Sequence, residues 1–321
     1  MSTAPSSPDG SAAPLATPAI PEPNIRRPCP ICGTEESSRL FAEANFDLAR
    51  LNDFAFASRK LPEHMHLCLH ECRRCDALYA SPVFAAGALA AAYRDAAYDS
   101  AAVAQMAAQT YVRYLPELMT RLPSLDGALD IGAGDGAFVG QLVQRGFTNV
   151  TGVEPSTAAV ATAPPEIRQL IRTVMFDPGD FIADSLSLVS CFQTIEHVDN
   201  PLRLCQAAFH LLRPGGALFL IGHNRRSVSA RVLGRWSPIF DIEHLQLFSP
   251  RSLSNLLLAA GYQDVRVTTV VNRYPLSYWA RLFPMPAGIK SRWIQLLERS
   301  GIGNFRLSLP AGNIAAIGCK P

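Results

Sequence analysis

The chain is predicted to be an α/β protein, a Rossmann-like doubly wound sheet with a small N-terminal zinc ribbon, and three observations carry that prediction. From residue 126 onward short apolar strands alternate with amphipathic helices, as in parallel sheets covered on both faces. One of those strands, in ALDIGAGDGAF, runs straight into a glycine-rich loop that opens a helix. Ahead of the alternation stand two CxxC pairs, Cys29/Cys32 and Cys72/Cys75, and two such knuckles can close a tetrahedron of thiolates around Zn²⁺.

The elements follow in order. Residues 1–27 are Ala, Ser, Pro and Thr with almost no large apolar side chains, too little to offset the entropy of ordering, so a disordered tail is expected. Residues 28–82 hold the knuckles CPICG and CRRC and are expected to be a zinc-ribbon module. The 39 residues between Cys32 and Cys72 exceed the usual ribbon spacing, and unmetallated thiols are the competing assignment. His66, Cys68 and His70 alternate just before the second knuckle, which suits packing on a strand face. Residues 83–125 are Ala-rich and suggest a helical linker and cap.

The domain proper is expected over 126–321. Its strands read ALDIG, NVTGVEP, IRTVMF, LSLVSCFQ, ALFLIGH, DVRVTTVV and NIAAIGCKP, with SPRSLSNLLLAAGY a helix capped by Ser249 and stopped by Gly261. Two insertions interrupt it, 224–248 and 273–311, rooted around the second half of the sheet. Ligands of open α/β sheets bind beyond the carboxyl ends of the strands. Both insertions are therefore expected to close over an acceptor pocket, the second with Tyr278, Trp279 and Trp293.

Bulk properties narrow the function. A chain of 321 residues, 48% of them hydrophobic, can bury a sizeable core. Net charge is +2, too near neutral for a nucleic-acid or membrane surface, although Arg225, Arg226, Arg231 and Arg235 form a local basic cluster. No apolar run reaches the ~20 residues that span a bilayer, and no export signal is evident, so a cytoplasmic protein is expected.

The glycine loop marks a nucleoside site. Gly132, Gly134 and Gly136 let a ligand lie against main chain at a helix N-terminus. Eighteen residues after Gly136 the next strand ends in Glu154, where an acid that grips ribose hydroxyls belongs. The spacing is GxGxG rather than the dinucleotide GxGxxG, and Asp130 sits two residues before the first glycine. A carboxylate there repels pyrophosphate and suits a ligand with an amino group; a plain glycine turn or another Rossmann cofactor is the competing assignment.

With an acid at each strand end, the pattern resembles class I S-adenosylmethionine-dependent methyltransferases. ALDIGAGDGAF, GVEPS, QTIEHVDNP, LLRPGG and EHLQLFSPRSLSNLLLAAGY together resemble the ubiquinone-biosynthesis and small-molecule type. The knuckles CPICG and CRRC ahead of them resemble zinc-binding methyltransferases of deoxysugar and surface-polysaccharide pathways, some of which are sugar C-methyltransferases. The resemblance implies S-adenosylmethionine and a structural Zn²⁺ as cofactors, the latter held by Cys29, Cys32, Cys72 and Cys75. It places the three glycines under the cofactor, Asp130 at its amino end, Glu154 at the ribose, Asp177 at the adenine, and Gln193 and Thr194 at the floor of the methionine pocket.

A base is needed where the nucleophile must lose a proton, and the candidates are His197, His223, and the pair Glu243 and His244. In sugar C-methyltransferases an adjacent Glu and His before the FSP helix are associated with proton abstraction, which Glu243 and His244 match; the alternative is that the pair organises the loop. His197 is read as a local cap at the start of its helix. The expected partner is a small-molecule methyl acceptor, a sugar or hydroxylated metabolite. Two other readings compete: an RNA base methyltransferase, disfavoured by the charge and by the lack of an NPPY-like tetrapeptide, and a non-catalytic scaffold.

Overall fold

In the computed structural model, which describes residues 22–48, 64–96, 98, 101–283, 285 and 287–321, the apolar runs from 126 onward become strands of one mixed sheet. Of the expected 1–27 tail, residues 1–21 lie outside the described residues. In chain order the strands are β1 (Ser38–Ala42), β2 (Leu69–Cys72), β3 (Leu78–Ala80), β4 (Asp126–Ile131), β5 (Thr148–Val153), β6 (Ile171–Arg172), β7 (Leu186–Phe192), β8 (Leu212–His223), β9 (Gln246–Leu247), β10 (Gln263–Pro275) and β11 (Arg306–Cys319). The helices are α1 (Ala86–Asp95), α2 (Ala101–Tyr111), α3 (Leu115–Met119), α4 (Ala137–Gln144), α5 (Thr157–Thr162), α6 (Pro165–Arg168), α7 (Pro201–Leu211), α8 (Val228–Leu233), α9 (Pro250–Ala259), α10 (Leu276–Leu282) and α11 (Ala287–Arg299).

Among the described residues, seven strands lie in the order β10-β11-β8-β7-β4-β5-β6. The pairs from β8 to β6 are parallel, whereas β11 runs antiparallel to both its neighbours, so the sheet is mixed. Side chains two apart on a strand share a face, and both faces are apolar. Leu129, Ile131, Val189, Cys191, Leu218 and Leu220 pack with α7 and α9 on one side. Ala128, Leu188, Phe192, Phe219 and Ile221 pack with α2 and α4 on the other. All seven residues of β7 are buried, which makes it a central strand.

Two expectations change here. The run IRTVMF yields only the two-residue β6; Val174 and Met175 are exposed. It is the outermost strand and pairs with β5 alone, at Gly152 and Val153, so nothing on its far side holds residues 173–176 in a ladder. The ribbon also fails to stand apart from the insertion 224–248. β1, β2 and β3 are completed by β9, through Leu78 opposite Leu247 and Tyr79 opposite Gln246.

Charge closes the same seam. Arg225 pairs with Glu71 and Asp76 on the second knuckle, and Arg226 pairs with both again. Half of the basic cluster expected from the sequence is thus neutralised internally. The ribbon's Cys29, Ile31, Cys72, Cys75 and Tyr79 share one core with Phe248, Leu253 and the strands of the large sheet. Ser249 caps α9 through a reciprocal bond with Ser252, as its place in the sequence predicts.

Candidate active site

A cavity of about 830 Å³ opens at the carboxyl ends of β4, β5, β7 and β8. Asp130, Gly132, Gly134, Glu154, Asp177, Gln193 and Thr194 line one part of it, and His197, His223, Asp241, Glu243 and His244 another. Sequence-distant carboxylates, glycines and histidines therefore meet in one space.

The glycines have different jobs. At Gly134, with φ +57°, a Cβ would meet nothing within 4 Å, so the loop there faces open cavity. At Gly132 a Cβ would come within 2.1 Å of Thr194 Oγ1, which makes this glycine the condition for β4 and the end of β7 to approach. Gly136 does not line the cavity; its Cβ would strike Ile167 and Ile171 at 2.5 and 2.8 Å. The geometry gives it a packing role at the start of α4.

Glu154 holds the loop from the neighbouring strand, its Oε2 accepting from Gly134 N–H and its Oε1 from Ser156 N–H, both at 2.9 Å. Asp130 is buried and accepts from Ser190 Oγ at 2.6 Å. Asp177 is exposed on the rim and accepts from Gly179 N–H at 2.9 Å. Gln193 lies at positive φ, +53°, just past β7, and its buried Nε2 has no hydrogen-bond partner among the described residues. That amide donor lines the cavity.

The second group gathers around His197, which the sequence suggested as a local cap. Asn200 does the capping, accepting from Arg203 N–H at 2.9 Å. His197 instead lies with Nδ1 3.5 Å from Glu243 Oε2 and 3.0 Å from the Tyr93 hydroxyl, its ring 5.0 Å from that of His244. Glu243 and His244 are buried, and His244 Nδ1–H donates to the Ile239 carbonyl at 2.8 Å. Tyr93 comes from α1, an Ala-rich helix whose sequence carries no sign of it. Burial, followed by the nearby Glu243 carboxylate, pushes the Tyr93 phenol well above its usual range.

Residues of both insertions line the cavity. Residues 224–248 supply Leu233, Pro238, Asp241, Glu243 and His244 to the lining, and residues 273–311 supply Tyr274, Tyr278, Trp279, Phe283 and Leu309. Trp293 is the exception: it sits on α11, 53% exposed, and does not line the cavity.

Burial separates the titrating groups. It drives His223 down to about 3, with the neighbouring His244 adding to the effect, so this imidazole is neutral and a poor proton acceptor near pH 7. It drives the buried Glu196 carboxyl up to about 7, against the pull of a hydrogen bond from His223 N–H. A carboxyl raised from 4.5 to about 7 holds its proton in the folded state where the unfolded chain has lost it, so stability falls as pH rises across that window. The loss amounts to about 3 kcal/mol by linkage. Glu196→Gln is expected to remove this component, and melting curves from pH 4.5 to 8 check it; an unchanged slope in the variant would reject the assignment.

The four knuckle cysteines also converge. Their sulfurs lie within 4.8 Å of one another, with Cys29–Cys75 and Cys32–Cys72 each 3.5 Å apart. Tetrahedral Zn–S bonds of about 2.3 Å require sulfurs about 3.8 Å apart. The donor set and its spacing fit.

Comparison with known proteins follows the same line. The model of the family described as "Methyltransferase domain" matches residues 103–267. The ubiquinone biosynthesis O-methyltransferase of Pseudomonas aeruginosa (strain UCBPP-PA14) is 34% identical over 105 residues, 30% of this chain and 44% of that protein. That of Idiomarina loihiensis is 27% identical over 157 residues, 44% of this chain and 64% of its own length. The chain thus spans under half to about two thirds of these curated relatives. Among solved structures, a methyltransferase from Thermotoga maritima, described as a possible histamine N-methyltransferase, aligns with a TM-score of 0.46 at 20% identity, covering 68% of this chain and 92% of that one. One from Archaeoglobus fulgidus aligns at 0.45 and 16%, covering 66% and 94%. With the family model matched over more than half of the 321 residues, the chain belongs to the methyltransferase-domain family.

Proposed function

We propose that the protein is an S-adenosylmethionine-dependent methyltransferase acting on a small hydroxylated metabolite, a sugar being the leading candidate, with a structural Zn²⁺ on Cys29, Cys32, Cys72 and Cys75. The observation that carries the reading is the single cavity in which Asp130, Gly134, Glu154 and Gln193 face the group of His197, Glu243 and His244. S-adenosylmethionine, when bound, supplies a methyl group already activated on a sulfonium.

The chain's part is to bind, orient and handle a proton. Asp130 would attract the amino end of the cofactor. Glu154, which holds the Gly134 and Ser156 N–H groups at the end of the neighbouring strand, would accept from the ribose hydroxyls. Asp177 at the rim would meet the adenine. Gln193 Nε2 supplies a donor, with Thr194 beside it, at the floor of the methionine pocket. Most of the acceleration of an in-line transfer comes from holding the two reactants together, here under Tyr278 and Trp279. Glu243 and His244 would take the acceptor's proton.

Calorimetry is expected to show micromolar binding of S-adenosylmethionine and S-adenosylhomocysteine and none of NAD. Gly134→Val would fill the open side of the loop at a positive φ and abolish that heat while the circular dichroism stays native. Tight NAD binding with no heat from S-adenosylmethionine would overturn the proposal.

A further inference from the structure

We propose that His197, Glu243 and His244 form a divalent-cation site inside the cavity, distinct from the four-cysteine cluster. One candidate ligand atom from each lies within 4.8 Å of the other two, and His197 Nδ1 is 3.5 Å from Glu243 Oε2. Metal bonds of about 2.0–2.2 Å place adjacent nitrogen and oxygen ligands about 3–4 Å apart.

Three features of the surroundings support it. The donors are two imidazoles and one carboxylate, a set that suits first-row divalent cations and leaves their remaining positions open. The His244 ring is held from behind. His244 gives its Nδ1–H to the Ile239 carbonyl, which leaves the ring's lone pair on Nε2. The Tyr93 hydroxyl, which donates to the Glu243 carbonyl at 3.4 Å, lies 3.0 Å from His197 Nδ1, the nitrogen nearest Glu243, and would yield that contact to a bound cation. The Ile239 contact is of the kind that fixes the orientation of a metal-binding imidazole. Finally, all three residues line the cavity, so the open positions of the cation face the space left for the methyl acceptor. An acceptor oxygen, hydroxyl or enolate, is the ligand such a cation would take.

The site stands on side-chain geometry and is independent of which acceptor is methylated, or whether one is. Its test uses the full-length protein with zinc on its cysteines, titrated with Co²⁺ and followed by visible absorption and calorimetry. One equivalent is expected to bind with weak ligand-field bands and without the intense bands of cobalt–thiolate bonds. His244→Ala and the near-isosteric Glu243→Gln should each weaken binding 10-fold or more, with zinc content and circular dichroism unchanged. Tyr93→Phe should leave binding as tight as in wild type or tighter, because it removes the competitor for His197 Nδ1. Equal Co²⁺ binding in wild type and Glu243→Gln, or bands of thiolate type only, would overturn the site. A protein that binds S-adenosylmethionine but not Co²⁺ would sink the cation site and leave the methyltransferase reading intact.

Discussion

Cys72→Ser is expected to release the bound metal, lower the melting temperature by about 10 °C or more, and depress methyl transfer as well. A structural zinc contributes folding energy outright, and each kcal/mol lost shifts a domain of this size by roughly 2–4 °C. Damage is not confined to the ribbon, because Cys72 ends β2 and β2–β3 pairing carries β9. β9 begins two residues after His244. Arg225, two residues past His223, is anchored on Glu71 and Asp76 beside the same knuckle. Losing the metal therefore loosens the parts of the cavity wall that bear His223 and His244. Metal analysis of the purified protein and differential scanning calorimetry check this. Absence of zinc in wild type, with all four thiols titrating freely, would refute it.

How much of this was legible in the sequence depended on whether the cause was local. The strand-to-loop transition at Asp130–Gly134, Glu154 at the next strand end, and the Ser249 cap are set by residues within a few positions, and each stands where the pattern placed it. Gly132 and Gly136 look alike in sequence yet answer to Thr194 in one case and to Ile167 and Ile171 in the other, contacts that only the folded sheet creates. β6 is short because an edge strand has one partner, which periodicity does not report. The pairing of β3 with β9 merges two segments that sequence keeps far apart. Tyr93 and His197 are hard to pair from sequence for the same reason: one sits in an alanine-rich helix, the other beside a better cap, and their meeting at 3.0 Å is a tertiary event.

His244→Ala is expected to lower turnover on an identified acceptor by roughly 10²-fold or more while leaving S-adenosylmethionine affinity nearly unchanged. Of the histidines in the cavity, His223 is ruled out as the base by a value near 3, since a group that acidic takes a proton poorly at neutral pH. His197, His244 and Glu243 remain, of which His244 and Glu243 are buried together in the cavity and held through Ile239 and Tyr93. Calorimetry with S-adenosylmethionine separates two roles: retained affinity with lost turnover marks the pair as acting on the acceptor, whereas lost affinity marks it as a loop organiser. A second comparison separates proton transfer by the side chains from activation by a cation. Wild-type protein stripped of loosely held cations but still carrying cysteine-bound zinc keeps its rate if Glu243 and His244 are the base themselves. It loses the rate, and regains it on adding Mn²⁺ or Co²⁺, if they act as ligands. A fully active His244→Ala protein would eliminate both roles and leave the positioning of acceptor against methyl group as the main catalytic device.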